Sequence, residues 1–237
     1  MPPSVDGSGR DEDLWYPGRV DVGPTWLMEF GVIEADSPWM DYLLNDHEDN
    51  LYHAGVAEEA FYSCQYLPYL LRDDIPGYVR ALYNQLALGM NRKNLMRYEM
   101  RTGEGVVYDE TLTEPLFCRS LMQGLLLMVD DELWLARGTP RRWLADGQKI
   151  VVKQAPSYYG RMSFTIRSGA AQGRIRATIN PPQRNPYRCI RLRLRHPQQA
   201  KMKRVTVNGQ EWRDFDPGSE TIRLEPARQT LEVVAYY

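Results

Sequence analysis

The spacing of apolar residues changes once along the chain, near Asp130. Before that point apolar positions recur with the 3.6-residue period of a helix; beyond it they alternate with the two-residue period of a strand. Ser37-Pro38 supplies an N-cap and a proline at the first helical position, and Trp39, Met40, Leu43 and Leu44 form an apolar face behind it. A second helix is expected from about Ala57, carrying Phe61, Tyr62, Tyr66, Leu67 and Leu70, with Pro68 to kink or end it. Asp74 caps a third, in which Ile75, Val79, Leu82 and Leu86 make one stripe and Gly89 or Asn91 is the stop. Thr113-Glu114-Pro115 opens the last, with Leu116, Phe117, Leu121, Leu125 and Met128 inward. A weaker helical pattern covers Trp26 to Glu34, and the glycine-rich stretch Arg101 to Tyr108 reads as a loop.

Strands are expected at Leu133–Arg137, Lys149–Lys153, Met162–Arg167, Arg174–Ile179, Cys189–Arg195, Arg204–Val207, Thr221–Leu224 and Leu231–Tyr236. Asp146-Gly147 is a turn between the first two, and Asn208-Gly209 is the strongest hairpin signal in the chain. Short strands separated by turn residues argue for an antiparallel sandwich. The fold class is therefore α+β and multidomain: helical hairpins over residues 1–130, then a β-sandwich over 131–237.

Charge sharpens the division. Residues 1–129 hold 9 Lys and Arg against 21 Asp and Glu, and residues 130–237 hold 20 against 10, so a net charge of -2 conceals two bodies of opposite sign. The first 13 residues are polar and acidic and are expected to be disordered; they lack the basic and apolar regions of a signal peptide. The compartment is left open, periplasmic or secreted if a leader precedes this sequence. No apolar run is long enough to span a bilayer, and no membrane partner is expected. Cys64, Cys118 and Cys189 are odd in number and form no CxxC, which reads as buried free thiols rather than a disulfide or zinc framework.

The segment His53 to Gln65 carries the most chemistry. Glu58 and Glu59 sit at a helix N-terminus just after a glycine-containing loop. Adjacent carboxylates diverge on a helix, so one of them at most faces a site, and Glu59 is the candidate. Acidic residues are also favoured in a first helical turn for dipole reasons alone, and composition by itself favours that plainer reading. Aromatic rings can stack on the apolar faces of sugars, but tyrosine and tryptophan fill cores equally well. The acidic run Asp46 to Asn50 lacks the glycine and spacing of a calcium loop and reads as a solvated helix end. His47, His53 and His196 have no metal-ligand spacing, so no metal is expected. Neither GxGxxG nor a phosphate-binding loop is present, and no cofactor is expected. In Ile190 to Arg195 and Arg174 to Ile179 arginines alternate with apolar or small residues. That pattern makes a basic sheet face, read as solvated or docked on the acidic half rather than bound to nucleic acid.

The stretch Leu133-Trp134-Leu135-Ala136-Arg137-Gly138-Thr139-Pro140-Arg141-Arg142-Trp143-Leu144, with Ala155-Pro156-Ser157-Tyr158-Tyr159-Gly160 after it, resembles the junction between toroid and C-terminal sandwich in large bacterial glycoside hydrolase-like proteins. Leu192-Arg193-Leu194-Arg195-His196-Pro197, the Val205 to Gly209 hairpin and Asp214-Phe215-Asp216-Pro217 fit the same tail. Glu59-Ala60-Phe61-Tyr62-Ser63 and Arg72-Asp73-Asp74-Ile75-Pro76 are similar to the toroid's last hairpins. The resemblance implies a glycan substrate, Glu59 as general acid or base, and Tyr62, Trp39, Tyr52 and Gln65 as sugar contacts. A complete toroid of this kind has six helical hairpins, and about five helices are read here. The resemblance then implies a partial toroid whose remaining helices, and second catalytic carboxyl, lie elsewhere, unless Glu29, Glu34 or Asp36 faces the same cavity. A non-catalytic carbohydrate-binding or assembly module, or an inactive fragment, is the alternative.

Overall fold

The computed structural model describes residues 27–28, 30–46, 66–89, 101–102, 105–106 and 113–237. The chain divides into two compact units, Met1–Leu121 and Met122–Tyr237. The architecture is α+β, and the second unit is a β-sandwich.

In the first unit the short helical turn at Leu27–Met28 closes on Gly31, whose φ is 71°. The Gly31 amide donates to the Met28 carbonyl and the Val32 amide to the Leu27 carbonyl, so the chain leaves the helix well before Glu34. Helix α1 (Pro38–Asp46) begins where the sequence places it, with the Met40 amide donating to Ser37 Oγ at 3.3 Å. Met40 and Leu44 are buried, whereas Trp39 points away from the core, contrary to the face expected for it. Helix α2 (Tyr66–Leu71) contains Pro68 and ends soon after it, at Asp73 with φ 67°. Helix α3 (Ile75–Gly89) starts at its Asp74 cap, whose Oδ1 accepts from the Gly77 amide at 3.0 Å.

Ile75, Tyr78, Ala81 and Leu82 face inward on α3, while Val79 and Leu86 are half-buried flanks of that stripe. Gly77 permits close packing of α2 on α3: a Cβ there would lie 2.5 Å from Tyr69 Cδ1. Two short strands, β1 (Arg101–Thr102) and β2 (Gly105–Val106), pair where a loop was expected. Helix α4 (Thr113–Leu125) follows, and the Tyr78 hydroxyl donates to the Ser120 carbonyl at 3.0 Å, joining α3 to α4 inside this unit.

Helix α4 stops at Leu125, and Leu126 begins strand β3 (Leu126–Val129); Met128 is therefore a strand residue, not the helical one expected. Asp130 and Asp131, at φ 51° and 60°, make a two-residue turn into β4 (Glu132–Leu135). Positive φ at both central positions matches the right-handed twist of the paired strands. The remaining strands are β5 (Lys149–Ala155), β6 (Met162–Gly169), β7 (Arg174–Asn180), β8 (Cys189–Arg193), β9 (Arg204–Val207), β10 (Gln210–Trp212), β11 (Phe215–Asp216), β12 (Thr221–Leu224) and β13 (Leu231–Tyr236).

They form a six-stranded sheet, β10-β9-β13-β7-β6-β5, and a five-stranded sheet, β11-β12-β8-β4-β3. All neighbours are antiparallel except β4 and β8, which run parallel. Parallel neighbours need a crossover, and β5 to β7 provide it through the opposite sheet. Asp146-Gly147 is a turn, but it passes from one sheet to the other rather than closing a hairpin, since β5 pairs with β6. Asn208 and Gly209, at φ 51° and 81°, do close one, between β9 and β10.

Alternation along each strand fills the space between the sheets. Leu133 and Leu135, Phe164 and Ile166, Ile190 and Leu192, and Val233 and Ala235 all point inward and are fully or almost fully buried. Each large aliphatic or aromatic side chain so buried contributes about 1.5–3 kcal/mol.

Candidate functional site

Glu59, Tyr52, Tyr62 and Gln65 lie outside the described residues, as do Glu29, His47, His53 and Cys64. Of the expected sugar contacts Trp39 is described. It sits in the first turn of α1 and is 70% exposed, with Tyr42 three residues on at 69%. Positions three apart share a helix face. The two rings are 6.2 Å apart between centroids and inclined at 55°.

Arg72, just after α2, ties down the start of α1. Its Nη1 donates to Asp41 Oδ1 at 2.6 Å, Nη2 to the Ser37 carbonyl at 3.4 Å, and Nε to the Ala35 carbonyl. One guanidinium therefore fixes the start of α1, which carries both rings, against the end of α2. Chemically the arrangement offers two tilted apolar faces and a tyrosine hydroxyl. Those groups suit stacking and hydroxyl recognition. Glu34 and Asp36, the other acidic candidates described, are exposed. Tyr42 was not singled out as a sugar contact; its i, i+3 relation to Trp39 was the signal.

Three carboxylates on the sandwich were not anticipated, two of them buried. Glu132, on β4, is bound by Arg191 on β8, with Nε to Oε2 at 2.5 Å and Nη2 to Oε1 at 3.1 Å; Arg188 Nη2 approaches Oε1 at 3.0 Å. Burial works to raise its pKa, but the Arg191 hydrogen bond, the Cys189 thiol and the two positive charges prevail and hold the carboxyl below its ordinary value. Glu220, in a backbone conformation with φ 57°, receives Arg141 on both oxygens at 2.6 and 2.8 Å. Arg141 also donates to the His196 carbonyl at 2.9 Å. Asp214 pairs with Arg223 at 3.0 Å on the exposed side. A general acid needs a raised pKa and a free proton. Glu132 is held in the opposite condition, and Glu220 has both oxygens engaged by Arg141; the two carboxylates join β4 to β8 and the Arg141 turn to the turn before β12.

Around the first pair, two guanidinium groups approach the Trp134 ring, Arg137 at 4.1 Å and Arg191 at 5.3 Å from its centre. Ile190, Leu192 and Leu194 are buried as their alternation predicts, yet Arg193 is buried too and Arg191 and Arg195 are half-buried, so of the two expected readings, solvated or docked, full solvation does not hold. Burial pushes the Cys189 thiol up, with the Glu132 hydrogen bond acting in the same direction. Cys118 is exposed, contrary to the buried thiol expected. His196 is buried with its ring 4.8 Å from that of Tyr237. Among the described residues no group of three or more His, Cys, Asp or Glu is arranged to hold a metal ion, and no helix is long and apolar enough to cross a membrane.

No protein-family model matches the chain. A comparison with curated proteins finds no match. Among solved structures the chain is similar to one described as a glycoside hydrolase, with a TM-score of 0.34 and 11% identity over 75% of this chain and 33% of that one. The chain thus spans about a third of that structure's length. At this score the likeness is weak, and it assigns neither a toroid to the helical unit nor an activity to the chain.

Proposed function

We propose that this chain is the C-terminal part of a carbohydrate-active protein, a glycoside hydrolase in which the helices of the first unit belong to a toroid and the sandwich that begins at β3 follows them in the chain. The observation that carries the reading is the solvent-facing Trp39–Tyr42 pair on α1, whose ring centroids are 6.2 Å apart. A soluble helix ordinarily turns its tryptophan inward; an exposed pair of rings with a tyrosine hydroxyl suits the apolar faces and hydroxyls of a sugar. On this reading Glu59 acts as general acid or base, and Tyr52, Tyr62 and Gln65 extend the contacts. The second carboxyl comes from upstream toroid helices, since Glu132 and Glu220 are committed to arginines.

Two experiments test it. A glycan array probed with the whole chain should show binding that Trp39→Ala abolishes; binding unchanged by that substitution counts against the platform. In the protein completed with its upstream helices, Glu59→Gln should abolish release of reducing sugar. Turnover left intact removes Glu59 from the mechanism.

A second reading has its own support. Among the described residues, Leu27, Phe30, Val32, Trp39, Tyr42 and Tyr83 are exposed large apolar side chains of the helical unit, against Val151 and Tyr158 of the sandwich. A surface of that kind also suits the packing of further helices. Glycan binding by this chain without sugar release would make it a binding module. Concentration-dependent self-association without glycan binding would make it a fragment awaiting its remaining helices.

A further inference from the structure

The outer face of the six-stranded sheet carries a ladder of like charges. Lys149 on β5 stands directly opposite Arg167 on β6, and Arg167 directly opposite Arg176 on β7. Their strand neighbours Ile150, Ile166, Ile175 and Ala177 are buried in the core, so all three cations point to the other side and are exposed. One step along, Arg174 pairs across the ladder with Tyr236, and Tyr236 with Arg204, whose guanidinium lies 4.0 Å from the Tyr236 ring centre.

Like charges directly opposite one another on a sheet destabilise it, and a sequence with many carboxylates has the means to avoid them. Here, among the described residues, none of Lys149, Arg167 and Arg176 forms an ion pair or side-chain hydrogen bond. Glu232, the nearby carboxylate on β13, accepts instead from Thr178 Oγ1 at 2.9 Å.

We infer that this face binds an acidic polysaccharide carrying a carboxylate on each sugar. The choice of a glycan rests on the carbohydrate-active reading above; the choice of an anionic one rests on the ladder. Neighbouring strands lie about 4.8 Å apart, so successive cations recur across the sheet at close to the repeat of one sugar ring. Guanidinium groups match carboxylates with two parallel hydrogen bonds. Thr165, paired with Thr178 on the adjoining row, offers a hydroxyl to the sugar, while the Thr178 hydroxyl donates to Glu232. A single-stranded nucleic acid would need uncovered rings for its bases, and the Tyr236 ring is covered by Arg204.

Affinity electrophoresis of the whole chain through gels containing polygalacturonate, dextran or polyuridylate tests the inference. Polygalacturonate should retard the chain in a salt-dependent manner. The combined Lys149→Ser, Arg167→Ser and Arg176→Ser variant should bind at least roughly tenfold more weakly at low salt, with a shallower salt dependence. Its thermal midpoint should equal or exceed that of the parent, because repulsion has been relieved. Should the variant not fold, the parent alone decides, since retardation by polygalacturonate indifferent to salt overturns the inference. Equal retardation of a folded variant overturns it too, as does tighter binding to polyuridylate. Neutral glycans bound through Trp39 with no retardation by polygalacturonate overturn this inference alone, whereas no binding to any glycan overturns it and the carbohydrate reading together.

Discussion

Glu132 and Arg191 meet across the one parallel strand pair of the sandwich, β4 beside β8, with two hydrogen bonds of 2.5 and 3.1 Å. The carboxylate is buried and the guanidinium is about one-third exposed. Glu132→Gln leaves Arg191 and Arg188 without a counter-charge and should destabilise the sandwich by about 1–3 kcal/mol, less than for a fully buried pair because Arg191 is partly solvated. Urea unfolding checks this: the midpoint should fall while the denaturant dependence stays the same.

The same carboxyl sets a pH dependence. Its folded pKa lies below the unfolded value of 4.5, so its contribution to stability is complete above pH 4.5 and is lost as the pH falls through the lower folded value. Thermal unfolding of the parent chain should therefore weaken as the pH falls below about 4.5, and Glu132→Gln should be less sensitive over that window. An identical acid profile for the two proteins would contradict the assignment.

Tyr237 offers the alkaline counterpart. Its hydroxyl donates to the Leu194 carbonyl at 2.8 Å, and burial, with Glu220 nearby, raises its pKa above the unfolded value of 10.0. A raised folded pKa means that the phenol's contribution is complete below pH 10.0 and fades as the pH rises beyond it. Tyr237→Phe should lose about 1 kcal/mol at neutral pH and flatten the alkaline limb of the stability profile, both read from urea titrations.

Two glycines should fail for different reasons. At Gly77, inside α3, alanine would gain helix propensity of about 1 kcal/mol, but its Cβ would meet Asp74 Oδ2 and Tyr69 Cδ1 at 2.5 Å. Loss of the cap and displacement of a buried ring should prevail, giving a net cost of about 1–3 kcal/mol. At Gly209 nothing lies within 4 Å of an added Cβ, yet φ is 81°. Gly209→Ala should cost about 1 kcal/mol from backbone strain alone. Calorimetry of each variant, with a structure of the first showing Tyr69 displaced, would separate the two causes.

Local signals in the sequence were reliable where one residue does one job. Ser37 and Asp74 are caps, Asn208-Gly209 closes a hairpin, and the alternation in Met162–Arg167 marks an inward face. Strand β3 was hidden because Leu125 to Val129 is an unbroken apolar run, which reads as the end of a helix as readily as a strand. The Asp130–Asp131 turn was hidden because it reaches positive φ without a glycine. The parallel β4–β8 pair and the Lys149–Arg167–Arg176 ladder depend on register between distant segments, which no local pattern encodes. Trp39 was assigned to the apolar face of α1 by hydrophobicity, and the geometry of the helix turned it outward.

The glycan platform is tested most directly by isothermal titration of the whole chain with the sugar that binds best on an array, comparing the parent with Trp39→Ala and Tyr42→Ala. Each substitution is expected to weaken binding by at least roughly tenfold, as for a central aromatic contact, with the thermal midpoint unchanged because both rings are exposed. Equal affinities in all three proteins, or a fall in stability that accounts for the loss, would contradict it.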